Sequence, residues 1–168
     1  MFNKFRIGAA GVAIVSAFGL ATAAHAADTA TATAEADILE ALTLNNLNSL
    51  DFGQIAVNGA DTVTVAADGS GTTCGANLIC AAGTSSPADF QVDGTANTVV
   101  SIQIGAASPL TGPGADMALS GLNDDTAGSV NLGVGGTATF GVGGTLSVNA
   151  GQTPGYYSST FDVTVEYQ

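Results

Sequence analysis

The chain has 168 residues, 46% of them hydrophobic and 10% charged, with 14 acidic residues against two basic ones. Both basic residues, Lys4 and Arg6, and the single histidine, His25, lie in the first 25 positions, so the body carries fourteen carboxylates and no cation. That balance excludes nucleic-acid binding, which needs cations to neutralise phosphates, and removes the usual general bases and oxyanion clamps of enzymes.

Read in chain order, the first element is an export signal. Lys4 and Arg6 precede an apolar run from Ile7 to Leu20, and Ala24-His25-Ala26 supplies the small-x-small pattern that signal peptidase reads. The run is shorter than the roughly 20 residues a spanning helix needs. Cleavage is therefore expected between Ala26 and Ala27, giving a signal segment over 1–26 and a strongly acidic product that meets the membrane only during export. His25 would leave with the signal. The expected destination is the periplasm, the cell surface or the exterior.

From 27 to 37 the chain alternates threonine with alanine, so its apolar face is only methyl groups. An edge strand of the same domain and a tether that gains order on pairing with another chain both fit. Ile38, Leu39, Leu42 and Leu44 follow, compatible with a strand or a helical turn.

The body, 38–168, alternates with period two and carries no long stretch at helical spacing. Strands are expected at Leu50–Val57, around Val63 and Val65, at Asp89–Val92, through Val100, Ile102 and Ile104, and at Asp116–Leu122 and Ser129–Val134. Ala138, Phe140, Val142, Leu146 and Val148 form another series. The final strand is the clearest: Tyr157, Ser159, Phe161, Val163, Val165 and Tyr167 share one face, opposite Thr160, Asp162, Thr164 and Glu166. Glycine and Asn/Asp clusters separate these runs, which predicts an all-β, antiparallel sandwich or barrel.

Three features invite a chemical reading. Cys74 and Cys80, the only cysteines, are expected to form a structural disulfide closing a turn between strands. Gly133-Val134-Gly135-Gly136 and Gly141-Val142-Gly143-Gly144 lack the helix and lysine of a phosphate loop, so turns and bulges of a hairpin are expected instead. Asn123-Asp124-Asp125 is an oxygen-rich turn, and Asp124 and Asp125 are the weak candidates for Ca²⁺, without the D-x-D-x-D-G spacing of a calcium loop. A solvated turn is the plain alternative. No cofactor and no catalytic residue is expected.

Leu50-Asp51-Phe52-Gly53-Gln54-Ile55, Gly136-Thr137-Ala138-Thr139-Phe140 with Gly143-Gly144-Thr145-Leu146, and Gly155-Tyr156-Tyr157-Ser158 leading into Phe161-Asp162-Val163-Thr164-Val165-Glu166-Tyr167 together resemble the DUF4402 family of exported bacterial proteins. The ending is also similar to spore-coat-U-like subunits of archaic chaperone–usher pili. That resemblance implies an immunoglobulin-like sandwich lacking one strand, with a periplasmic chaperone, an usher and further copies of the subunit as partners. Phe161, Val163, Val165 and Tyr167 would line the groove. The stretch from Thr29 through Thr31 and Thr33 to Ile38 would be the donor. A self-complete secreted module binding a matrix ligand or Ca²⁺ is the second reading.

Overall fold

The computed structural model describes residues 28–168, so the expected signal segment and its cleavage point at Ala26 and Ala27 lie outside the described residues. Residues 37–168 form one compact unit. Residues 28–36, assigned to the other unit, are exposed and take no regular structure.

The described residues form no helix, and eleven strands account for the fold: β1 Thr43–Asn48, β2 Ile55–Val57, β3 Asp61–Val65, β4 Thr72–Cys74, β5 Leu78–Cys80, β6 Ala88–Asp93, β7 Val99–Ile104, β8 Leu119–Asp124, β9 Ser129–Asn131, β10 Thr137–Val148 and β11 Val163–Tyr167. Every pairing is antiparallel. One sheet runs β1-β6-β10-β3-β4 with β8 also on β10, a second runs β11-β7-β9, and β2 pairs with β5 as a small ribbon. The expected all-β antiparallel sandwich is therefore the fold observed.

Two apolar clusters hold it together. The first lies between the large sheet and the β7 sheet and contains Val92, Val100, Leu132 and Val142, each fully buried. Phe90 and Phe140 stack within it, ring centroids 5.5 Å apart. The second gathers Val63, Val65, Leu146 and Val148 with Phe52, Leu78 and Met117. β10 serves both, since Phe140 and Val142 enter the first and Leu146 and Val148 the second. Its pairing reflects this: β6 lies along Thr137–Val142 and β3 along Gly144–Val148.

Several boundaries differ from the sequence pattern. Gly143 and Gly144, expected in a turn, sit inside β10, and the flanking segments are not a hairpin, because β9 pairs with β7 in the other sheet. The reason is a close approach of main chain. A Cβ on Gly141 would strike the Ala67 carbonyl oxygen, and one on Gly143 the Val65 carbonyl oxygen. A bulge does occur there, between Gly143 and Thr145 in the pairing with β8. Gly136 is a turn glycine as expected, with φ of 69°. Val134 is an exposed turn residue rather than part of β9.

Leu50–Gln54 make only an isolated bridge, Asp51 to Ser86, so the strand expected over Leu50–Val57 shrinks to β2. β1 forms from Thr-Leu-Asn-Asn-Leu-Asn, where only Leu44 is half-buried. Ile38 and Leu39, for which a strand or a helical turn was open, adopt neither and stay exposed. Cys74 and Cys80 are bonded, with Cα atoms 6.1 Å apart. The bond ties the end of β4 to the end of β5, and so fastens the small ribbon to the large sheet.

Candidate functional site

The last strand is one of the sheet edges. β11 pairs with β7 alone among the described residues, which leaves its other edge open. The flanking bonds fix which groups face that edge. Gly105 N–H donates to the Asp162 carbonyl at 2.8 Å, and Gln168 N–H donates to the Val99 carbonyl at 3.1 Å. Main-chain groups alternate sides along an antiparallel strand, so Asp162, Thr164, Glu166 and Gln168 turn theirs toward β7. Val163, Val165 and Tyr167 turn theirs away. Ile102 agrees: opposite Val165 in the register, it sends its N–H the other way, to the Gly128 carbonyl at 2.8 Å.

Side chains here are only half covered. Tyr157, Ser159, Phe161, Val163, Val165 and Tyr167 all point inward as the alternation predicts, yet none is fully buried. The regular strand begins only at Val163, so Tyr157–Asp162 keep the alternation without ladder pairing. Two clefts open beside this segment. One, of about 270 Å³, lies between Asn46, Ser49 and Leu50 on one side and Ser159 to Phe161 on the other. The second, of about 540 Å³, lies between Leu50 to Val57 and Gln152 to Tyr157, floored by Met117, Leu146 and Val148. Leu50 lines both, so they form one interrupted groove. Composition could not reveal its far wall, because Leu50–Val57 lies about a hundred residues from the near one.

At the far end of β11, Tyr167 ties the strand to two other segments. Its hydroxyl donates to the Glu40 carbonyl at 2.8 Å and accepts the Thr95 N–H at 2.7 Å, while Glu40 N–H donates to the Thr95 hydroxyl oxygen at 2.7 Å. Gly94 makes room for this, since a Cβ there would collide with the Tyr167 hydroxyl. The residues expected to donate a strand, Thr29, Thr31, Thr33 and Ile38, are all exposed, Ile38 at 87%.

The Asp124–Asp125 pair serves the local turn. Asp124 Oδ1 accepts Thr126 N–H at 2.8 Å, the Thr126 hydroxyl at 2.6 Å and Gly128 N–H at 2.9 Å, while Asp125 Oδ1 accepts Gly141 N–H at 3.0 Å. Partial burial pushes the Asp124 carboxyl up, but the donors from Gly128 and Thr126 outweigh it and hold it below the usual carboxylate range. Asp61 is held low as well, by the N–H groups of Asn77 and Thr62. Among the described residues no three carboxylate, cysteine or histidine side chains converge as metal ligands.

Comparison with known families turns on the same strands. The family described as a domain of unknown function (DUF4402) matches residues 42–167, from the residue before β1 to the last residue of β11. The chain belongs to the DUF4402 family. No curated protein and no solved structure matched it. The DUF4402 region thus contains both walls of the groove and the open edge, and leaves Thr29–Ile38 outside.

Proposed function

We propose that this DUF4402 protein is an exported structural subunit that works by β-strand addition along the open edge of β11, without catalysis. The observation that carries this reading is the combination at β11: main-chain groups of Val163, Val165 and Tyr167 turned away from β7, beside half-covered apolar side chains, with an unfilled groove along the segment just ahead of the strand. An exposed row of N–H and C=O groups is a template for another strand, and the groove supplies pockets for alternate side chains. The similarity of the ending to chaperone–usher pilin subunits points the same way. The Cys74–Cys80 disulfide fits an oxidising compartment outside the cytoplasm. The absence of Lys, Arg and His from residues 28–168 supports a role resting on shape and main-chain pairing.

The test is the state of the full chain in material sheared from producing cells. Complexes that survive SDS at room temperature and collapse on boiling are expected. A monomer under every condition overturns the proposal. Val165→Pro removes an outward N–H while leaving the ladder to β7 intact, and should abolish the SDS-resistant species.

A further inference from the structure

Resting on the strand-addition reading, we propose that the edge of β11 takes its strand from a different protein, one alternating large apolar residues with lysine or arginine, and not from a second copy of this chain. Two features of the edge set that chemistry.

The first is apolar cover. An added strand sends alternate side chains inward beside Phe161, Val163 and Val165, which are only half-buried. Methyl groups would leave the exposed parts of these residues uncovered, whereas Ile, Leu, Val or Phe would cover them. The second is charge. The outward neighbours of an added strand are Asp162, Thr164 and Glu166, all exposed. They fall at the non-hydrogen-bonded positions of the new pairing, where facing Cα atoms approach to about 4.5 Å and side chains are closest. Like charges there are destabilising, and opposite charges favourable.

The chain's own extension fails on both counts. Asp28–Ile38 offers alanine at positions 30, 32, 34 and 36, with Ile38 as its one larger apolar residue, and it carries Asp28, Glu35 and Asp37. No residue from 28 to 168 is Lys, Arg or His, so a second copy has no cation in that span to set against Asp162 or Glu166.

The experiment uses the full chain and three synthetic eleven-residue peptides: one alternating lysine with isoleucine, valine and leucine, the same peptide with glutamate for lysine, and Asp28–Ile38 itself. Binding is read as slowed amide exchange at Val163, Val165 and Tyr167. The lysine peptide is expected to protect these amides and to bind about tenfold tighter than the glutamate peptide, the effect of two cross-strand charge pairs. The double variant D162K/E166K separates the edge from the overall charge: it remains strongly acidic, yet its preference should switch to the glutamate peptide. Equal binding by Asp28–Ile38 or the glutamate peptide, or a preference unchanged in the double variant, overturns this proposal and leaves strand addition standing. Failure of all three peptides to protect the amides overturns strand addition itself.

Discussion

The Tyr167 hydroxyl donates to the Glu40 carbonyl across 127 positions of sequence, joining the last strand to the chain just ahead of the first. The same oxygen accepts the Thr95 N–H, so one phenol secures three segments. Tyr167→Phe keeps the ring and removes both bonds, leaving the part-buried Thr95 N–H without its partner. A loss of about 1–2 kcal/mol is expected from urea denaturation, with the fold retained. Gly94→Ala should cost at least as much, because the added methyl displaces that hydroxyl.

Glycine in β10 gives a sharper contrast. Gly143→Ala drives a Cβ into the Val65 main chain, which cannot move aside as a flexible side chain would. A destabilisation of about 3 kcal/mol or failure to fold is expected. Gly135→Ala, with nothing near its added methyl, should change the unfolding free energy by no more than about 0.5 kcal/mol in the same urea titration.

Reducing the Cys74–Cys80 bond frees a short loop, so the entropic effect sits near the low end of the usual range. Stability should fall by about 2 kcal/mol on adding reductant, and the Cys74→Ala/Cys80→Ala double variant should match the reduced protein. Thermal melts with and without dithiothreitol check this.

Acid should weaken the β8–β9 turn. The Asp124 carboxyl is held below its unfolded value, so its contribution is complete above about pH 4 and is lost as pH falls through the lower folded value. Asp124→Asn retains an acceptor oxygen but cannot titrate. Its urea midpoint should therefore fall less than that of the parent between pH 5 and pH 2.5. An identical fall in both would show that the carboxylate is not the titrating group that matters.

Much of the sandwich was legible because a half-buried strand writes its burial into alternate residues. Val100 and Ile102 and the run from Val163 to Tyr167 are plain examples, with inward and outward positions as the pattern requires. β1 was not legible: a strand at the border of a sheet buries little, and Leu44 is the only one of its six residues that is not exposed. Gly143 misled because glycine marks a close main-chain approach as readily as a turn, and the approaching chain, Val65 to Ala67, is far away in sequence. At the edge itself the inward faces of Phe161, Val163, Val165 and Tyr167 could be read from spacing. The bond from Tyr167 to Glu40 and the wall from Leu50 to Val57 could not, since both depend on how distant segments meet.

The length of β10 has a final consequence. One continuous strand of twelve residues contributes Phe140 and Val142 to one apolar cluster and Leu146 and Val148 to the other. Neither half can melt without dragging this shared beam out of its neighbour, so the two halves are expected to unfold as a single cooperative body despite their separate interiors.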